Sequence, residues 1–129
     1  MRHRQKKSLK LRGSVQSNSA TMRTMLTNLV RHGHLTTTAH TAEVLVGYTD
    51  AFFAHLMKVA NNREAHDAER EIVRWIKSII YTADEGKKIA RELIPSYKNQ
   101  QLVSSFVSHV KLGKRKGDAA EEVRIELMK

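Results

Sequence analysis

Apolar side chains along this chain recur with two different periods, and the change of period divides the chain. Met22, Met25, Leu26, Leu29 and Val30 fall three or four residues apart, which is the spacing of one helix face. Ser17, Asn18 and Ser19 precede them as a polar stop, with Ser19 as the candidate N-cap, and Gly33 follows as the C-terminal stop. The spacing therefore predicts a helix of about three and a half turns. His34 to Thr38 is short and β-branched, and reads as a small strand. Ala42, Leu45, Thr49, Phe52, Phe53, Leu56 and Val59 mark a second, longer helix, interrupted at Asn61-Asn62. Ala65, Ala68, Ile72, Trp75, Ile76 and Ile79 mark a third. A fourth is expected from Asp84 to Leu93, with Asp84 and Glu85 at its positive end and Pro95 closing it.

Near the C-terminus the period drops to two. Val123, Ile125 and Leu127 alternate with Arg124 and Glu126, as in a half-buried strand. Phe106, Val110 and Leu112 share a parity, so Val103 to Leu112 is the expected partner strand. The turn-forming, cationic run Gly113-Lys114-Arg115-Lys116-Gly117-Asp118 joins them. A hairpin alone is marginal in water, so helices must cover its apolar face. The reading is an α+β fold: a helix-rich, two-layer domain packed on a small three-stranded sheet with a C-terminal antiparallel hairpin, plus an extended basic N-terminal arm. In domain terms, residues 1–18 form the arm and residues 19–129 a single globular unit.

Residues 1–18 hold only Met1, Leu9, Leu11 and Val15 as apolar side chains. Ordering costs about 1–2 kcal/mol per residue in backbone entropy. So little apolar surface does not offset that. The arm is expected to order only against a partner.

Charge identifies the class of partner. The first 42 residues contain no acidic side chain and eight Lys or Arg, six of them within the opening dozen. From Glu43 onward the balance is close to even, with 15 basic and 13 acidic residues. The formal net charge of +10 is thus carried mostly by one end. An acid-free cationic arm on a near-neutral body is built to hold a polyanion. Six phosphate contacts would change affinity by roughly 10³ over a fourfold change of salt. The arm has no aromatic residue, so phosphate and shape contacts are expected rather than base stacking. Lys111, Lys114, Arg115 and Lys116 form a second cationic cluster at the hairpin.

Other chemistries find little support. There is no cysteine, which leaves no disulfide and no thiolate metal site. No apolar run approaches the roughly 18 residues of a membrane span, and no secretory signal is expected. His32 and His34 could share a metal, but spacing supplies no third ligand. The acidic side chains Glu64, Asp67, Glu69 and Glu71 interleave with Arg63, Arg70 and Arg74 as a solvent-facing helical stripe. No catalytic triad, phosphate-cradling glycine loop or nucleotide fingerprint can be drawn. Charge alone admits a DNA-binding module as well as an RNA-binding one.

Particular residues narrow this further. The chain opens Met1-Arg2-His3-Arg4, and its first helix ends Leu29-Val30-Arg31-His32. Thr36-Thr37-Thr38 follows, and the C-terminus carries Gly113, Gly117-Asp118 and Ile125-Glu126-Leu127. In this order they resemble the bacterial-type large ribosomal subunit protein seventeen family over nearly the whole chain. The resemblance implies a non-enzymatic constituent of the large subunit. It implies binding to large-subunit ribosomal RNA, with neighbouring ribosomal proteins near the polypeptide exit as further partners. It implies no cofactor, metal, small-molecule substrate or membrane. The ribosome concerned is expected to be cytoplasmic and bacterial rather than organellar. By position, the family's RNA contacts carry over to Arg2, His3, Arg4, Lys6, Lys7, Lys10 and Arg12 in the arm. Arg23, Arg31 and His32 match on the first helix, and Arg115 matches in the hairpin loop. The start of the second helix departs from the family's basic pattern and reads Ala39-His40-Thr41.

Overall fold

The structure is a computed structural model, and it describes residues 11–128. Helix α1 runs Val15–His32, and strand β1 His34–Thr38. Two long helices follow, α2 (Ala39–Asn62) and α3 (Ala65–Ile79). Next come α4 (Ala83–Lys88), a π-helical turn (Ile89–Leu93) and α5 (Ile94–Asn99). Strands β2 (Val107–Lys114) and β3 (Glu121–Leu127) complete the chain.

The sheet is antiparallel, in the order β1-β3-β2. Leu35 sits opposite Ile125 and Thr37 opposite Val123, while Val107 faces Leu127 on the other side. Opposed residues share a face, so the apolar side chains of β3 meet the helices and Glu122, Arg124 and Glu126 lie on the open face. The expected α+β architecture is the one observed, with the 34–38 segment as its third strand.

The core lies between sheet and helices. Leu26, Leu29 and Val30 from α1 and Leu45, Phe53 and Leu56 from α2 are fully buried. They pack with Ile89, Tyr97, Phe106 and Ile125. Phe53, Tyr97 and Phe106 form an aromatic triangle with centroids 5.3 to 5.8 Å apart. The Asp50 carboxylate accepts the Phe106 N–H at 3.0 Å, which ties α2 to the approach of β2.

Three local expectations are corrected. Helix α1 begins at Val15, not after Ser19. Ser14 is the N-cap, its Oγ accepting the Ser17 N–H at 3.1 Å. Ser17 and Ser19 are exposed on the helix, because polarity marks a surface as readily as a break, while Asn18 turns back and donates through Nδ2 to the Leu11 carbonyl at 2.9 Å. Second, Pro95 does not close the fourth helix. The chain turns on through it to Asn99. The Ile94 N–H bonds to the Ile89 carbonyl, five residues back. This wider turn sits just before the residue that lacks an N–H donor. Burial of Ile94 and Tyr97 gives the continuation its purpose. Third, β2 starts at Val107 rather than Val103, and Val110 and Leu112 are 59% and 52% exposed. Val110 lies opposite Arg124 on the open face, and a bulge between Lys111 and Gly113 breaks the parity.

Candidate nucleic-acid interface

The cationic positions divide by what already holds them. Arg2, His3, Arg4, Lys6, Lys7 and Lys10 lie outside the described residues. Arg12 is exposed at the approach to α1. Of the expected 1–18 arm, residues 11–18 are described, and Val15 to Asn18 already form the first turn of α1.

On α1, Arg23 is a tether. Its Nε donates to the Ile79 carbonyl at 2.9 Å, and its guanidinium lies 4.2 Å from the centroid of the Tyr81 ring. These contacts fasten α1 to the link between α3 and α4. Arg31 donates through Nε to Glu85 Oε1 at 2.7 Å. That hydrogen bond holds the Glu85 carboxyl below its usual range, against the opposing effect of burial. The same bond raises the Arg31 pKa. Beside it, Lys88 Nζ donates to the Val30 carbonyl at 2.8 Å, satisfying an acceptor that the end of the helix leaves open. His32 is exposed in the last turn of α1. Gly33 then turns the chain into β1 at φ 78°, in the left-handed region.

The hairpin turn is stiff. Arg115 grips Asp118 with two parallel bonds, Nε to Oδ1 at 2.5 Å and Nη2 to Oδ2 at 2.6 Å. Asp118 Oδ1 also accepts the Ala120 N–H at 3.1 Å. The Arg115 N–H reaches the Ala120 carbonyl at 3.0 Å, and the Ala119 N–H reaches the Arg115 carbonyl at 3.1 Å. The guanidinium, then the Ala120 N–H, hold the Asp118 carboxyl far below its ordinary range. Arg115 is therefore largely neutralised within the turn. Its flanking residues Lys114 and Lys116, and Lys111 on β2, are exposed and have no ion-pair partner among the described residues. The i, i+3 spacing of Arg115 and Asp118 is visible in the sequence, and it is the available signal that the arginine folds back onto its own turn.

Among the described residues, the expected contacts do not form one patch. His34 pairs with Glu126 at one end of the sheet, and Lys114 with Glu121 at the other. Five steps of strand put these ends about 17 Å apart. Arg31 and His32 sit beside the first end, and the Lys114–Lys116 turn lies at the second. A long polyanion could touch both; a small anion could not.

No three His, Asp or Glu side chains among the described residues are placed to hold a metal ion. No described helix is long and apolar enough to cross a membrane. The acidic stripe on α3 is a surface network: Glu71 lies 3.6 Å from Arg74 and 3.8 Å from Arg63.

Comparison with known proteins gives the family. The model of the family described as Ribosomal protein L17 matches residues 21–128. The chain is 30% identical over 128 residues to the "Large ribosomal subunit protein bL17" of Rubrobacter xylanophilus, covering 99% of this chain and 96% of that protein. The bL17 protein of Thermus thermophilus is 30% identical over 129 residues, covering 99% of each. That of Dictyoglomus thermophilum is 28% identical over 128 residues, covering 99% of this chain and all of that protein.

Proposed function

Since this chain belongs to the ribosomal protein L17 family, and is with it a structural, non-enzymatic constituent of the large ribosomal subunit, we propose that it grips large-subunit ribosomal RNA with its N-terminal arm. The observation that carries this reading is the acid-free stretch from Met1 to Ala42, with its eight cations. Arg2, His3, Arg4, Lys6, Lys7, Lys10 and Arg12 thread among phosphates, and RNA orders the segment ahead of α1 as it folds around them. The folded body, from α1 onward, keeps its surface in register. Lys111, Lys114 and Lys116 supply the hairpin's phosphate contacts, with His32 a further contact at the opposite end of the sheet. Arg23, Arg31 and Arg115 act mainly by holding helix and turn in shape, because each already has a partner. Neighbouring large-subunit proteins near the polypeptide exit complete the setting, in a cytoplasmic ribosome.

The test is sedimentation of tagged chain from a lysate of cells that also carry the untagged one. Full-length chain is expected in large subunits at moderate salt. A chain with Arg2, Arg4, Lys6 and Lys7 changed to Ala is expected to fold normally but to be depleted from them. Equal incorporation of the two would overturn the role of the arm. Tighter binding to duplex DNA than to folded ribosomal RNA fragments would overturn the choice of partner.

A further inference from the structure

We propose that the trough between α3 and the α4–α5 segment is a docking site for an acidic amphipathic helix of another protein. The trough has a volume of about 850 Å³ and a floor formed by Ile72, Ile76, Ile80 and Ile94. Ala68, Ala90 and Gly86 keep it concave. At Gly86 the two walls meet closely, since a Cβ there would come within 3.1 Å of Ile76 Cγ2. Val73 stands on the wall, 39% exposed, where a water-facing helix position would ordinarily be polar. Lys77, Lys87, Arg91 and Lys98 line the edges, against Glu69 alone on the acidic side. None of these four cations has an ion-pair partner among the described residues.

An apolar floor between cationic edges is complementary to a helix with apolar residues on one face and carboxylates on its flanks. Helix α3, at 15 residues, is about 22 Å long, so the occupant spans about four turns. RNA suits the trough less well. Isoleucine side chains offer a phosphate or a base edge no hydrogen bond. The aromatic side chain at the edge, Tyr81, already has Arg23 over its ring. The corresponding signal in the sequence is the helical spacing of Lys87, Arg91 and Lys98, a basic row that the period of apolar residues passes over.

The probe is a fluorescent 16-residue peptide with Leu at i, i+3, i+4 and i+7 repeats and Glu on both flanks. Its controls are a scrambled peptide, a Lys-flanked twin and a single-stranded RNA dodecamer. Anisotropy at low salt measures binding to the full-length chain, and amide chemical shifts locate it. The Glu-flanked peptide is expected to saturate, with shifts concentrated in α3, α4 and α5. The Lys-flanked twin is expected to bind at least tenfold more weakly. Lys87→Glu with Arg91→Glu should weaken the Glu-flanked peptide at least tenfold, and Val73→Asp likewise. All three residues are exposed, so the fold should survive. No saturable binding, equal binding of the scrambled peptide, or occupation of the trough by the RNA would overturn the proposal. None of these outcomes bears on the arm, whose test is incorporation into subunits.

Discussion

If Arg115 is held by Asp118, removing it should hardly alter how RNA binding responds to salt, whereas removing either flanking lysine should. Each cation that neutralises a phosphate contributes about 0.7–0.9 to the slope of log affinity against log salt. Lys114 and Lys116 are exposed and unpaired among the described residues, so each is assigned one such contribution. Lys114→Ala should then flatten the slope by about 0.8. Equivalently, the fall in affinity from 50 to 200 mM salt should shrink by about threefold, the consequence of that slope over a fourfold range. Arg115 differs because two short bonds to one carboxylate already compensate its charge. Arg115→Ala should leave the slope within about 0.2 of the parent, on the same per-contact scale. Asp118→Asn makes the opposite change. It keeps an oxygen for the Ala120 N–H and frees the guanidinium, so the slope should steepen by up to about 0.8. Filter binding to a large-subunit ribosomal RNA fragment across a potassium chloride series gives all four slopes. A slope loss in Arg115→Ala equal to that in Lys114→Ala would show that the arginine leaves Asp118 for phosphate, and the argument from the turn would fail.

Tyr97 lies fully buried, and its hydroxyl has no partner among the described residues. Tyr97→Ala should cost about 3–5 kcal/mol in urea unfolding through lost packing, while Tyr97→Phe should hold or raise stability at neutral pH. Burial pushes the Tyr97 pKa up to about 12. The parent should therefore lose stability relative to Tyr97→Phe as pH rises from about 10 to 12, where the unfolded tyrosine ionises first. A flat difference across that window would contradict the burial argument. The Glu85 pKa is lowered, so its pairing with Arg31 stabilises above the ordinary glutamate range and fades as pH falls below it. Glu85→Gln should lower the melting temperature at pH 7, and the gap should close in acid, as followed by circular dichroism. At Gly33, φ is 78° and nothing crowds a Cβ. Gly33→Ala should therefore destabilise by about 1 kcal/mol from backbone conformation alone, read from the urea midpoint.

The local pattern was enough for much of the fold. Leu26, Leu29 and Val30, or Phe52, Phe53 and Leu56, fall on one side of a helix whatever lies opposite, because backbone geometry sets the period. Val123, Ile125 and Leu127 likewise commit β3 to one buried face. The acid-free start of the chain is also a property of sequence alone, and its charge limits the partners it suits to polyanions. Long-range pairing required the folded structure. His34 to Thr38 joins the sheet because β3 lies beside it, nearly ninety residues later in the chain. Pro95 is tolerated within a continuing helical path because Ile94 and Tyr97 have a core to enter.

The same division holds for the candidate site. Arg23, Arg31 and His32 look alike in the sequence as polar positions on one helix, yet Ile79, Tyr81 and Glu85 claim the two arginines from more than fifty residues away. Sequence determined which residues are charged and which faces are apolar, since both follow from side-chain chemistry and backbone period. Tertiary structure decided which charges stay available, because a partner distant in sequence neutralises a cation only once the fold has brought the two within hydrogen-bond reach.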